Sequence, residues 1–71
     1  MNKQNFYDLN FDQLKNFLIE KINVDTNKAR MRAQQMFNAV YKKNIKNFDE
    51  LTTFGLELRE KIKDLISLDK P

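Results

Sequence analysis

At 71 residues the chain has room for one domain, and chains this short bury a limited fraction of their surface, so a core and a deep substrate cavity do not fit together. Hydrophobic residues make up 41% and charged residues 32%, a balance that suits a folded domain and not a disordered tail. The net charge is only +3, and the absence of cysteine and histidine excludes disulfides, thiolate nucleophiles, zinc fingers, iron–sulfur ligation and an imidazole base.

Met1-Asn2-Lys3 leads into no signal-peptide core, and the longest apolar run, Phe17-Leu18-Ile19, is far short of a membrane span. A cytoplasmic protein without a membrane partner is expected. Tyr7 reads as a packing residue or part of a frayed lead. Phe11, Leu14, Phe17, Leu18 and Ile22 then share one face of a helix over 11–22, and Asn10 with Gln13 forms a capping-box pattern in front of it.

Ala29, Ala33, Met36, Phe37 and Val40 share a face of a second helix over about 28–43, capped by Thr26 or Asn27. Asn47 and Glu50 repeat the capping-box spacing and open a short helix near Phe48–Thr53, with Phe48, Leu51 and Phe54 as its apolar residues. Gly55 interrupts, and Leu58, Ile62 and Leu65 mark a last helix of 56–67. The sum is a monomeric all-α bundle of three main helices and one short helix. Its core should include Leu14, Phe17, Leu18, Met36, Phe37, Val40, Leu51, Leu58 and Ile62, with Phe11, Phe48 and Phe54 adding volume.

The charge is concentrated in one place. Residues 1–27 carry a net −1 and residues 47–71 a net −2, whereas residues 28–46 carry six cations and no acid. On an ideal helix Lys28, Arg32, Gln35, Ala39 and Lys42 fall in one exposed stripe, with Lys43 at its edge and Lys46 just past the helix end. Arg30, Phe37 and Tyr41 lie on the other flank of the apolar face.

Phosphate binding uses this chemistry: lysine offers a point charge, arginine a planar fork, and tyrosine a surface for an unpaired base. Lys28, Arg30, Arg32, Gln35, Tyr41, Lys42, Lys43 and Lys46 are the candidate nucleic-acid contacts. Four phosphate contacts would give a salt slope near about −3, and affinity would fall roughly a hundredfold between about 50 and 200 mM salt. The plain alternative is a solvated face, with Lys42 and Lys43 also suiting the negative end of the helix dipole. Glu57, Glu60 and Asp64 read as surface partners of Lys61 and Lys63, not as a metal or acid–base site. Met31 and Met36 read as fillers.

The order of the segments "YDLNFDQLKNFLIEK", "ARMRAQQMFNAVY" and "KNIKNFDELTTFGLELREKI" resembles the N-terminal domain of the radical-SAM adenine-C2 methyltransferases of 23S rRNA and tRNA. The resemblance spans about residues 6–66. Its most specific pieces are Arg32-Ala33-x-Gln35 with Tyr41, the run Asn47–Thr52, and Leu58-Arg59. It implies a helix-hairpin-helix-like accessory domain, here the single domain 1–71, that positions rRNA or tRNA and contacts a catalytic domain of the same protein. A [4Fe–4S] cluster and S-adenosylmethionine would belong to that catalytic barrel, whose CxxxCxxC motif is absent from this sequence.

Two departures stand out. Ala39 occupies a place where relatives often have tryptophan, and the hairpin glycines of typical helix-hairpin-helix motifs are missing. Competing readings are a basic module that docks on an acidic protein or on its own catalytic domain, and a free-standing helical DNA-binding domain.

Overall fold

The computed structural model describes residues 3–69. Its first long helix, α1 (Phe11–Lys21), begins where the capping box predicts. Asn10 Oδ1 accepts the Gln13 N–H at 2.8 Å, and Gln13 Oε1 accepts the Asn10 N–H at 2.9 Å, so two otherwise orphaned donors are satisfied. Leu14 and Leu18 point inward, and Ile22 follows them into the core. Asn23 then adopts φ 64°, and the Val24 N–H reaches back to the Leu18 carbonyl at 2.9 Å. Asparagine tolerates this left-handed conformation better than most residues, which makes it an effective stop signal.

The second helix, α2 (Thr26–Phe37), is capped by Asp25 and not by Thr26 or Asn27 as expected. The Asp25 carboxylate accepts the Asn27 N–H at 2.8 Å, and its negative charge faces the positive end of the helix dipole. The helix does not run unchanged to residue 43 either. From Asn38 to Lys42 it widens into a π turn, in which the Lys43 N–H bonds the Asn38 carbonyl at 3.1 Å. Asn44 at φ 54° closes the turn, and the Ile45 N–H bonds the Ala39 carbonyl at 3.2 Å. α1 and α2 therefore end on the same device: a left-handed asparagine followed by a half-buried β-branched residue.

The Asn47–Glu50 capping box is present, but it opens only a single 3-10 turn, Phe48–Glu50, and not a helix to Thr53. Gly55 caps α3 (Leu56–Leu65) without a side-chain hydrogen bond. α3 stops at Leu65, two residues earlier than predicted, because the chain straightens there. Ile66–Ser67 (β2) pairs in parallel with Gln4–Asn5 (β1), in the register Gln4 opposite Ile66 and Asn5 opposite Ser67. Asn5 Nδ2 extends the tie by donating to the Asp69 carbonyl at 2.7 Å. The architecture is the expected all-α bundle, with this short ladder joining its two ends.

Phe6 follows β1 and is completely buried at the centre of an aromatic cluster. Its ring lies 5.4 Å from Phe37, 5.9 Å from Tyr41, 6.1 Å from Tyr7 and 6.3 Å from Phe48. The sequence reading put neither Phe6 nor Ile66 in the core, and the ladder is what brings both inside. Leu14, Leu18, Met36, Val40, Leu51 and Ile62 are buried as expected, and Phe48 and Phe54 join them. Phe17, Phe37 and Leu58 are half-buried at the core margin instead of inside it. Ala29 and Ala33, fully buried, let α2 lie close against its neighbours, α1 chief among them. The radius of gyration, 10.9 Å, matches the value of about 11 Å for a self-contained folded chain of this length.

Candidate nucleic-acid interface

The cations of residues 28–46 divide into two groups. Lys28 and Arg30 are exposed on the first half of α2, while Lys42, Lys43 and Lys46 are exposed around its exit. At about 1.5 Å per residue, the groups lie roughly 20 Å apart along the helix. None of these five has an ion-pair partner among the described residues. Asp25 is the nearest acid in sequence before them, and its carboxylate is engaged in capping α2.

The middle of the predicted stripe is different. Ala39 is only 7% exposed, so it belongs to the core and cannot lie in an exposed line of contacts. Arg32 and Gln35 are half-buried. The Arg32 guanidinium sits 5.0 Å from the centre of the Phe54 ring and donates through Nη1 to Gln35 Oε1 at 3.3 Å. The ring's negative face attracts the cation, and the ring's burial makes α2 and the segment before α3 parts of one packed unit. Arg32 is drawn in by its contact with the Phe54 ring, and the π turn moves residues from Asn38 onward off the α-helical angles with which the stripe was drawn.

Tyr41 is 49% exposed and yet anchored. Its ring stacks on Phe37 at 5.4 Å and 17° and meets Tyr7 edge-on at 5.8 Å and 80°. Phe37 is in turn stacked on Phe11 at 5.7 Å. One side of Tyr41 is thus held by aromatic contacts while half of its surface remains accessible.

Four of the six acids of residues 47–71, Asp49, Glu50, Glu57 and Glu60, are instead engaged within the domain. Asp49 accepts from Lys63 Nζ at 3.0 and 3.2 Å, and its backbone carbonyl accepts from Arg59 Nη1 at 2.7 Å. Glu60 lies 3.7 Å from Lys63 and Glu57 3.9 Å from Lys61, the helix pairs read from the sequence. The hydrogen bond to Asp49 raises the Lys63 pKa above its ordinary value of 10.5, with the attraction of Asp49 and Glu60 adding to it and desolvation opposing. Glu50 Oε2 is occupied by the Lys46 N–H at 2.7 Å and the Asn47 N–H at 3.3 Å.

Lys46 lines two adjoining concavities that share Leu68 as a common wall. The larger, about 720 Å³, is bordered by Lys3, Lys46 and Lys63 together with Asn5, Asn47, Ser67 and Asp69. The smaller, about 290 Å³, lies between Tyr7, Asn44, Ile45 and Lys46.

A family model described as the ribosomal RNA large subunit methyltransferase N-terminal domain matches residues 4–68, nearly the whole chain. The chain belongs to that family. Among curated relatives, the probable dual-specificity RNA methyltransferases RlmN of Staphylococcus aureus strains JH9, Newman and Mu3 are each 36% identical over 62 residues. The match covers 87% of this chain and 16% of each relative, so the chain spans about a sixth of their length. No solved structure matches it.

Within this methyltransferase N-terminal domain, the fragments behind the resemblance turn out to be joints of the fold. Arg32, hydrogen-bonded to Gln35, braces Phe54, the Asn47–Glu50 box sets the 3-10 turn, and Arg59 fastens that turn to α3. Lys28, Arg30, Lys42, Lys43 and Lys46, without an ion-pair partner among the described residues, lie outside the most specific of those pieces. Sequence reasoning found Lys46 but missed Lys3, Lys63, Tyr7 and Asn44 around it. No spacing in the chain signals their convergence, which depends on the pairing of residues 4–5 with 66–67.

Proposed function

We propose that this domain binds RNA and holds it for a methyltransferase domain of a longer protein. Six cations without an intervening acid, five of them exposed and without an ion-pair partner among the described residues, carry this reading. The family description and the relatives' names, which specify ribosomal RNA and dual-specificity RNA methylation, supply the class of partner. Lys28, Arg30, Lys42, Lys43 and Lys46 contact phosphates, Tyr41 offers its accessible half to a base, and Arg32 with Gln35 contributes chiefly by fixing α2 in place. Contacts of this kind position a substrate without reading its sequence.

Positioning is the whole of the domain's share in the reaction. The chain has neither cysteine nor histidine, so its residues do not fit an iron–sulfur cluster, and the cluster and S-adenosylmethionine are assigned to the catalytic domain. 23S rRNA and tRNA are the proposed substrates, the domain acts as a monomer, and the protein works in the cytoplasm. No helix among the described residues is long and apolar enough to cross a membrane.

The test is binding of a 23S rRNA fragment and of tRNA at stepped salt, beside an acidic protein of similar net charge to the RNA fragment. Both RNAs should bind with a steep salt dependence and the acidic protein should not. Capture of the acidic protein alone would overturn the reading in favour of a protein-docking module.

A further inference from the structure

We infer that the two concavities around Lys46 form a site for one unstacked nucleotide of single-stranded RNA, with the base in the smaller recess and the phosphates in the larger. The inference rests on the RNA reading above and goes beyond it, because only Lys46 and the edge of the aromatic cluster were singled out there.

The two recesses differ as the two halves of a nucleotide do. The smaller is lined by Tyr7, Asn44, the aliphatic Ile45 and Leu68, and Lys46. At about 290 Å³ it falls at the lower end of ligand-pocket sizes, right for a ring system and too small for a folded RNA element. Tyr7 meets its two aromatic neighbours at 89° and 80°, so no ring among the described residues lies parallel on it. A base can stack there, an interaction that is tolerant of sequence. Asn44 is fixed at φ 54°, and its amide supplies both a donor and an acceptor for a base edge.

The larger recess suits the backbone. Lys3 comes from the start of the chain, Lys46 from the exit of α2 and Lys63 from α3, and all three border one space. Lys63 shares its ammonium with Asp49 and Glu60, whereas Lys3 and Lys46 have no ion-pair partner among the described residues. Among the described residues Asp69 is the one carboxylate on the rim. It opposes phosphate beside itself but can accept a hydrogen bond from a ribose 2′-hydroxyl, the group that separates RNA from DNA. Lys46 belongs to both recesses and so marks where base and phosphate join.

The experiment uses the isotope-labelled 71-residue chain, titrated at low salt with pentauridylate, with its deoxyribose counterpart and with inorganic phosphate, while amide resonances are followed. Pentauridylate should move Tyr7, Asn44, Lys46 and Ser67 together, and it should bind more tightly than the deoxy form. Phosphate should move only the lysine-bordered recess. Lys46→Gln should weaken pentauridylate binding about threefold or more and lower its salt slope by about one, without changing the melting temperature. Equal affinity for the ribose and deoxyribose forms removes the role given to Asp69 and overturns the inference as an RNA site. Movement confined to Lys28 and Arg30, with both recesses silent, overturns the site and leaves the RNA reading standing. No movement anywhere, together with no binding of the 23S rRNA fragment, brings down both.

Discussion

α2 and α3 have similar lengths and both carry many charges, but they use them differently. α3 spends its charges on its own fold: Lys61 meets Glu57, Lys63 meets Asp49 and Glu60, and Arg59 holds the Asp49 carbonyl. α2 leaves Lys28 and Arg30 without an ion-pair partner among the described residues, and packs instead through Ala29, Ala33 and Met36. Small buried side chains keep its backbone close to the core and its long cations in water. The contrast separates charge that builds the domain from charge that is available to a partner.

The largest expected effect tests whether the two helices depend on one core. Phe6 is completely buried amid four other aromatic rings, so Phe6→Ala should cost about 3–5 kcal/mol and leave a domain of this size close to unfolding. Circular dichroism and aromatic NMR signals should be lost in one transition. Survival of one helix after loss of the other would mean that they are independent units. Phe37→Ala should cost less, because Phe37 is only half-buried.

Next comes the one cation of α2 that is engaged in the fold. Arg32→Ala removes the contact with the Phe54 ring and should lower stability by about 1 kcal/mol in urea titrations. The salt slope of RNA binding by the folded fraction should fall by less than one. A full unit of slope with unchanged stability would place Arg32 on the RNA instead.

A smaller effect belongs to α3 and depends on pH. Because Lys63 has a raised pKa in the folded state, its pairing contributes stability below the ordinary lysine value of 10.5 and loses it as pH rises through the elevated one. Asp49→Asn should therefore lower the urea midpoint slightly at neutral pH, and its difference from the parent should vanish at strongly alkaline pH. A difference that persists there would point to the backbone of the 3-10 turn, not to the ion pair. The smallest effect is that of Lys28→Gln with Arg30→Gln, whose stability should match the parent within about 0.5 kcal/mol.

Local signals were legible in the sequence and long-range ones were not. The Asn10–Gln13 and Asn47–Glu50 boxes are short-range hydrogen-bond patterns, and both appear where the sequence puts them. Leu14, Leu18 and Met36 were readable because helical spacing repeats. Phe6 and Ile66 were not: Phe6 lies outside a periodic run, and Ile66, though it continues the Leu58–Ile62 spacing of the predicted helix, enters the core from a strand paired across some sixty residues of chain. The π turn escaped for another reason: Asn38–Lys42 has ordinary helix composition, and no residue in it marks the wider hydrogen bonds. The burial of Ala39 and the packing of Arg32 on Phe54 split the expected stripe, while the concentration of charge itself was plain from the sequence.

The most direct measurement compares two variants of equal net charge for binding to a 23S rRNA fragment across stepped salt. One replaces Lys28, Arg30 and Lys42 with glutamine, and the other replaces Lys15, Lys21 and Lys61. The first should lower the salt slope by about 2–3 units, roughly one for each lost phosphate contact, and the second by less than about one. Equal slopes for the two variants would show that RNA responds only to net charge and that the acid-free segment has no special part in binding.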